Sequence, residues 1–214
     1  MLKAILWDND GVLSDTERLF FDANRAVLAD HGIVLSHADY VAWYLEDARG
    51  AWHLLPPAEV PAARRARDAR YAQLLEQATA PLCFPGVEAM LARLAPRVEM
   101  SIVTASYAEH IALAHRHGGV LRHIGRVFAR EEGMRPKPHP DPYLHALRRL
   151  GLDAGECIAV EDSPRGVAAA SAAGLRCIAL RSDLLKDYPF TGAWRVVDSH
   201  HALERELDGL LAAT

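Results

Sequence analysis

Residues 1–11 read M-L-K-A-I-L-W-D-N-D-G, a short apolar run that ends in two carboxylates and a glycine. The run predicts a buried β-strand over residues 3–8, because it is rich in aliphatic side chains and stops at a turn-forming Asn-Asp-Gly segment. Five later runs of the same kind occupy residues 98–104, 126–129, 157–161, 176–180 and 195–197. Helical patterns lie between these runs, which predicts a doubly wound α/β fold, a Rossmann-like parallel sheet with crossover helices.

One interval departs from this alternation. Residues 15–81 carry helical patterns throughout and no convincing strand, and the interval is too long for a single crossover. Gly32 followed by Ser36, and the pair Pro56-Pro57, mark joints between its helices. We therefore expect an all-helical domain inserted over residues 15–81, and a sheet-containing core built from residues 1–14 and 82–214.

Three helix starts can be read from the sequence. Asp141-Pro142 and Ser163-Pro164 each place a capping side chain before a proline, and Pro85-Gly86 precedes a helix near residues 87–94. A short polar side chain can accept hydrogen bonds from the free amides of the first turn, where proline is also tolerated. The starts therefore predict helices that begin near residues 87, 142 and 164.

The composition limits the kinds of partner. The chain has 214 residues, 50% of them hydrophobic, and a formal charge of −4, which gives no general attraction for nucleic acid or an anionic membrane. No apolar run reaches the roughly 20 residues of a membrane span. The cysteines Cys83, Cys157 and Cys177 lack the paired spacing of a zinc site. We expect a soluble, cytoplasmic protein with buried, reduced cysteines, and a monomer by default.

Polar residues follow several of the predicted strands at their carboxyl ends, where open parallel sheets bind ligands. They are Asp8 and Asp10, Thr104 and Ser106, Lys137 in a proline-flanked loop, and Glu161 with Asp162. Carboxylates that meet at one edge repel each other unless a cation lies among them, and hard oxygen ligands favour Mg²⁺. A lysine, hydroxyl groups and backbone N–H groups would balance a phosphate there. The set indicates metal-assisted phosphoryl transfer to a carboxylate nucleophile.

Four segments, in this order along the chain, resemble the motifs of the haloacid-dehalogenase-like superfamily. They are D-N-D-G-V-L-S-D-T-E at residues 8–17, T-A-S at 104–106, K-P-H-P-D-P-Y-L at 137–144 and E-D-S-P-R-G-V-A-A-A-S-A-A-G at 161–174. The resemblance is to the phosphoglucomutase-like and phosphoglycolate-phosphatase-like branch. A lone D-x-D-G is a common strand terminus, but an ordered set of four that spans the core is specific.

The resemblance implies a role for each matching residue and a small phosphate ester as substrate. Asp8 would be the nucleophile and Asp10 the general acid and base. Thr104 and Lys137 would anchor the phosphate. Further phosphate contacts would come from Gly11, Ala105, Ser106 and, within the insertion, Arg49.

The resemblance also implies a magnesium ion and a mobile cap. The metal ligands would be Asp8, the backbone carbonyl of Asp10, Asp162 and Glu161. For Glu161 a direct contact and an outer-shell role both remain open. Residues 15–81 would form the cap, which closes over the site and excludes water.

Two departures from the mutases of this branch concern the substrate. Phe20 stands where mutases tend to carry a histidine, and the segment Glu46-Asp47-Ala48-Arg49 keeps only the arginine of their cap loop. These departures favour a phosphatase. A sugar phosphomutase of the β-phosphoglucomutase type is the alternative, and an inactive binding protein with this fold is a remote one.

Other polar or aromatic clusters have simpler interpretations. Arg64, Arg65, Arg67 and Arg70 have helical spacing and predict a solvated face of the insertion, with attraction of the substrate or contact with a partner as the alternative. His115, His117, His200 and His201 are interpreted as surface or capping residues. Trp43 and Trp52 are expected in the hydrophobic core, with a pocket wall as the alternative.

Overall fold

A computed structural model of the protein describes residues 1–212. Its centre is a six-stranded sheet in which every neighbouring pair of strands is parallel. The strands are β1 Ala4–Trp7, β2 Glu99–Val103, β3 Arg126–Phe128, β4 Cys157–Glu161, β5 Arg176–Leu180 and β6 Arg195–Val197. All six predicted strands are present, the first three slightly shorter than predicted, so the predicted α/β fold is confirmed.

The first strand lies in the middle of the sheet. The strand order is β3-β2-β1-β4-β5-β6, so β1 is flanked by β2 and β4 and the direction of winding reverses there. Ala4 and Leu6 enter one hydrophobic cluster, while Ile5 and Trp7 enter another on the opposite face. Burial on both faces explains the unbroken apolar run, and the reversal creates the crevice in which such sheets bind ligands.

Helices cover the sheet and fill the long interval between β1 and β2. The α-helices of the described residues are α1 Glu17–Asp30, α2 His37–Tyr40, α3 Val60–Gln77, α4 Val87–Leu94, α5 Ala108–His115, α6 Asp141–Leu150, α7 Pro164–Ala172 and α8 His200–Ala212. A π-helical turn, Val41–Glu46, and a 3₁₀ turn, Ala51–Leu54, lie between α2 and α3. The helical character of residues 15–81 is therefore as predicted. Their separation as a cap from a core of residues 1–14 and 82–214 stays a prediction.

The inserted helices pack against one another and against α5. Ala23 of α1 and Tyr71 and Leu75 of α3 form a buried cluster with Ala114 of α5. Burial of these apolar side chains stabilises the position of α3 relative to the sheet. This packing of α3 places the Tyr71 side chain near the carboxyl ends of the central strands.

Two of the three predicted helix starts agree with the structure. The Ser163 side chain accepts a hydrogen bond from the Gly166 amide at the start of α7, and α4 begins directly after Gly86. Asp141 was expected to cap α6, and this is wrong. The helix begins at Asp141 itself, and the carboxylate pairs with Arg135 at 2.9 Å.

The cysteines are free, and two of them are buried. Cys157 and Cys177 belong to β4 and β5, whereas Cys83 is only partly buried, contrary to expectation, because it lies in the loop before α4. None of the helices within residues 1–212 combines the length and the apolar character that crossing a bilayer would need.

Candidate active site

Three adjacent strands bring predicted site residues to one edge of the sheet. Asp8 follows β1, Thr104 follows β2, and Glu161 is the last residue of β4. Since β1 lies between the other two strands, these side chains meet at the point where the winding reverses. Lys137 comes from the loop before α6 and is only 2% exposed.

Lys137 joins the strand ends through its amine. Nζ donates hydrogen bonds to Asp8 Oδ1 at 2.7 Å, to Glu161 Oε1 at 2.5 Å and to the Val103 carbonyl at 2.8 Å. Tyr143 also donates to Glu161 Oε1, at 2.6 Å. Burial alone would lower the pKa of Lys137, but attraction to Asp8 and Glu161 raises it, so the amine is a cation.

Three buried carboxylates lie close enough to share one cation. Asp8, Glu161 and Asp162 each offer an oxygen within 4.8 Å of the others. Burial and the neighbouring Glu161 raise the pKa of Asp8 to about 7, and burial with nearby carboxylates raises that of Asp162 well above its usual range. Glu161 Oε2 is buried and has no hydrogen-bond partner in the described part of the chain. This donor set fits a hard divalent cation such as Mg²⁺.

Gly11 leaves the space that Asp162 occupies. Its φ of +80° is a conformation that favours glycine, and a Cβ atom there would lie 1.9 Å from Asp162 Oδ2. The Gly11 amide donates to the Ser14 carbonyl at 2.9 Å. A phosphate contact from Gly11 therefore stays a prediction, whereas the close approach to Asp162 is a feature of the structure.

The Asp10 carboxylate is surrounded by hydroxyl groups. Oδ1 accepts from Thr16 at 2.5 Å and from Tyr71 at 3.2 Å, and Oδ2 accepts from Ser106 at 2.7 Å and from Thr104 at 3.4 Å. Four donors from three parts of the chain fix the carboxylate beside Asp8. The Thr104 hydroxyl also accepts from the Ser106 amide at 3.0 Å, which orders the loop after β2.

His115 belongs to this network, so its interpretation as a surface or capping residue was wrong. It is 4% exposed, and its Nε2 lies 2.7 Å from Asn9 Oδ1. The Asn9 amide in turn donates to Asp10 Oδ1 at 3.2 Å. His115 ends α5, far from Asn9 in sequence, so nothing in the local pattern indicated the contact. His200 also turns inward, with Nε2 2.7 Å from the Val12 carbonyl.

A cavity of about 150 Å³ extends from Asp8 and Asp10 towards the inserted helices. Aromatic residues Phe20, Tyr44 and Trp52 form part of its wall. Trp52 also belongs to a buried hydrophobic cluster, so both its expected place in the core and the alternative of a pocket wall are confirmed. Other lining residues belong to the loop after β2 and to a set of arginines: Ala105, Ser106, Arg49, Arg64, Arg67, Arg130 and Arg165. The structure thus gathers the predicted residues Arg49, Ala105 and Ser106 around one space.

Arg67 is not part of a solvated face, as the helical spacing had suggested. It is 7% exposed, its Nε donates to Asp68 at 2.7 Å, and its guanidinium lies 4.6 Å from the centre of the Phe20 ring. Arg64, Arg65 and Arg70 on the same helix are exposed, as expected. Helical periodicity could not separate Arg67 from them, because its burial depends on packing between α3 and α1.

Sequence reasoning also missed two oppositely charged residues of the cavity, the buried Glu17 and the partly buried Arg165. Glu17 lies at the start of α1 and accepts a hydrogen bond from the Tyr40 hydroxyl, while Arg165 lies at the start of α7. Burial raises the pKa of Glu17, and the positive charge of Arg165 opposes that shift. Both residues line the cavity. They fall inside the first and fourth motifs, at positions to which the resemblance gave no role.

A family model of haloacid dehalogenase-like hydrolases matches residues 2–174. The chain therefore belongs to the haloacid dehalogenase-like hydrolases, as its four ordered motifs predicted.

Named phosphatases are among its relatives. Hexitol phosphatase B of Escherichia coli (strain K12) is 28% identical over 83% of this chain and 82% of its own. Protein CbbY of Rhodobacter capsulatus is 29% identical, over 92% of this chain and 93% of its own. The crystal structure of Rhodobacter sphaeroides CbbY with phosphate has a TM-score of 0.79 and 26% identity, covering 93% of this chain and 95% of that one. A mutant of that CbbY was crystallised with xylulose-(1,5)-bisphosphate. The chain is a phosphatase of this family, a hydrolase of phosphoric monoesters.

Proposed function

We propose that the protein is a magnesium-dependent phosphatase that hydrolyses a small phosphorylated metabolite of the sugar-phosphate kind through a phosphoryl group carried on Asp8. The strongest support is the cluster of Asp8, Lys137, Glu161 and Asp162, of which Asp8 and Lys137 line the cavity. Xylulose bisphosphate in a related protein supports a sugar-based ester. Phosphate release from a panel of metabolites, measured with Mg²⁺ and again with a chelator, tests the proposal.

The first half of the reaction is the transfer to Asp8. A carboxylate oxygen of Asp8 forms a bond to phosphorus, and the bond from phosphorus to the ester oxygen breaks. Asp10, fixed by its four hydroxyl donors, gives the leaving oxygen a proton. Lys137 donates to Asp8 and offers a positive charge to the phosphoryl group.

The second half is hydrolysis. Water forms a bond to phosphorus as the Asp8 oxygen leaves, and Asp10 takes up the proton that the water loses. Residues 15–81 act as a cap in this proposal, since aromatic residues from them wall the cavity and limit the water that can enter. Thr104 and Ser106 hold Asp10 in the same place for both halves.

Magnesium would be held by Asp8, Asp162, the Asp10 carbonyl and Glu161, either directly or through its outer shell. When bound, it would neutralise negative charge that the phosphate brings to the carboxylates. Lys137 already binds Glu161 Oε1, so Oε2 is the oxygen left for the ion or for its water.

Gly11→Ala is expected to weaken Mg²⁺ binding at least ~10-fold, because the added methyl would overlap Asp162 Oδ2 and displace a metal ligand. Calorimetric titration with MgCl₂ measures the change. Gly32→Ala is the matched control, since Gly32 has a similar φ of +73° but open space around it. The control should lose about 1 kcal/mol of stability, from the strained backbone, and bind Mg²⁺ normally. Equal Mg²⁺ affinity in the two variants would contradict the role of Gly11.

The mutase alternative is tested at Phe20. Its ring packs at 5.3 Å from that of Tyr71 and lies beneath Arg67, so it supplies an apolar wall and no proton donor or acceptor. We expect inorganic phosphate release to exceed isomerisation of a hexose 1-phosphate, and Phe20→His alone to create no efficient mutase. A coupled assay for the hexose 6-phosphate, run beside a phosphate assay, compares the two rates. Faster isomerisation in the wild type would favour the mutase.

A further inference from the structure

A buried polar pair, Asn9 and His115, adjoins Asp10 outside the cavity. Asn9 is completely buried after β1, and His115 is 4% exposed at the end of α5. Neither residue lines the cavity that contains Asp8 and Asp10. A substrate in that cavity would touch neither side chain, so any effect of the pair on the reaction has to pass through Asp10.

Asp10 decides the orientation of the Asn9 amide. Asn9 Nδ2 donates a hydrogen bond to Asp10 Oδ1 at 3.2 Å. A carboxylate can only accept hydrogen bonds, so the N–H side of the amide has to face it. The Asn9 backbone is fixed as well, because its carbonyl accepts from the Leu13 and Ser14 amides at 2.9 and 3.0 Å. The other end of the amide, Oδ1, consequently faces His115.

One tautomer of His115 completes this arrangement. Its Nε2 lies 2.7 Å from Asn9 Oδ1 and 3.3 Å from the Ser14 hydroxyl oxygen. Asn9 Oδ1 is an acceptor, so Nε2 carries the hydrogen and donates it. Nδ1 is buried without a hydrogen-bond partner among residues 1–212, and a hydrogen there would be an unsatisfied donor. Burial lowers the pKa of His115, although the charge of Asp10 opposes this shift, so the ring is neutral.

The two oxygens of Asp10 meet different kinds of donor. Oδ2 accepts from the hydroxyl groups of Thr104 and Ser106, and a hydroxyl can reverse its role when the carboxyl group carries a proton. Oδ1 meets the Asn9 N–H in addition to two hydroxyl groups, and an amide N–H can only donate. Ser106 lines the cavity, whereas Asn9 and Thr16, two of the three donors to Oδ1, do not. Asn9 thus disfavours a proton on Oδ1.

We propose that His115 and Asn9 are positioning residues for proton transfer by Asp10. His115 holds the Asn9 amide in one orientation, and the amide keeps Asp10 Oδ1 as an acceptor, so Oδ2 is the oxygen that carries the proton. That proton passes to the ester oxygen as its bond to phosphorus breaks, and the electron pair of the Oδ2–H bond stays on Asp10. The inference rests on the proposed function for this transfer, whereas the hydrogen bonds of His115 can be measured without turnover.

Nitrogen NMR of protein labelled with ¹⁵N-histidine tests the arrangement without a substrate. We expect the His115 hydrogen on Nε2 at neutral pH, and a change in the nitrogen shifts of His115 in Asn9→Leu. Loss of its signals in His115→Gln identifies them. A ring with its hydrogen on Nδ1 would overturn the proposal, because Nε2 could then not donate to Asn9.

Two esters of similar size separate proton transfer from other effects on the rate. The 4-nitrophenolate ion leaves without a proton, whereas benzyl alcohol needs one, so only benzyl phosphate depends on Asp10 as an acid. Single-turnover release of each alcohol, with Mg²⁺ and excess protein, measures the first half of the reaction. His115→Leu and Asn9→Leu should each lower the ratio of the benzyl rate to the nitrophenyl rate ~10-fold or more. His115→Gln keeps an N–H donor and should stay within about threefold of the wild type.

His200→Leu is the matched control, because His200 Nε2 contacts the same loop at the Val12 carbonyl and forms no hydrogen bond with Asn9 or Asp10. Its ratio of rates should equal that of the wild type. The double variant Asn9→Leu/His115→Leu should lose no more than either single variant, since both act through one amide. Asn9→Leu decides the question if His115→Leu does not fold.

A ratio of rates that neither Asn9→Leu nor His115→Leu changes would overturn the proposal, and so would losses that multiply in the double variant. If the wild type releases neither alcohol, that result counts against the proposed function alone. The NMR measurement then still decides whether His115 donates to Asn9.

Discussion

Replacing Asp8 by asparagine is expected to lower phosphate release from any ester by ~10⁴-fold or more, since an amide oxygen is a poor nucleophile towards phosphorus. Asp8 is the only carboxylate of the buried cluster that lies directly after the central strand, and Lys137 donates to it at 2.7 Å. Steady-state phosphate release from an aryl phosphate, which needs no particular sugar, measures the loss.

Asp30→Asn is the control for the Asp8 variant. Asp30 is an exposed residue at the end of α1, away from the cavity, so the same chemical change should leave the rate within about twofold. Hydrolysis by Asp8→Asn at a rate near that of the wild type, with folding unchanged, would mean that another group attacks phosphorus.

Lys137→Met is expected to lower the rate of phosphate release by ~10³-fold or more. It should also lower the free energy of unfolding by about 3 kcal/mol, because Asp8 and Glu161 are left as buried carboxylates without their cation. Asp162→Asn should also lose activity, but it removes one carboxylate from a group that repels itself, so the metal-free protein should be no less stable. Raising Mg²⁺ should partly restore only Asp162→Asn, which lacks a metal ligand.

Denaturant unfolding without Mg²⁺, together with rates over a range of Mg²⁺ concentrations, distinguishes the two variants. Lys3→Met is the control, because Lys3 forms an exposed ion pair with Glu156, and such surface pairs contribute little to stability. Equal rescue of Lys137→Met and Asp162→Asn by Mg²⁺ would show that their roles are assigned wrongly.

The sequence predicted the sheet and the floor of the site because both depend on local patterns. Apolar runs that end in carboxylates mark buried parallel strands, and strands in this order place Asp8, Thr104 and Glu161 together. The insertion was recognised from its length and its lack of strands. Within each motif, the site residues are only a few positions apart, so the sequence also indicated which side chains lie together at the end of each strand.

The walls of the cavity could not be predicted in the same way. Arg64 and Arg130 are far apart in sequence, with β2 and β3 between them. Both line the cavity only because α3 packs close to the loop after β3. His115 and Arg67 were taken for surface residues, because their helices give no local sign that they face Asn9 or Phe20. Tertiary packing decides such contacts, and a helical pattern records only the average polarity of each face.

The most direct test of the account is whether Asp8 carries the phosphoryl group during turnover. The wild-type protein would be mixed with Mg²⁺ and a ³²P-labelled phosphate ester, quenched with acid within milliseconds and digested at low pH. We predict label on the peptide that contains Asp8, and its loss in Asp8→Asn. Substrate hydrolysis without any labelled peptide, or with label on a peptide that lacks Asp8, would contradict the aspartyl-phosphate mechanism.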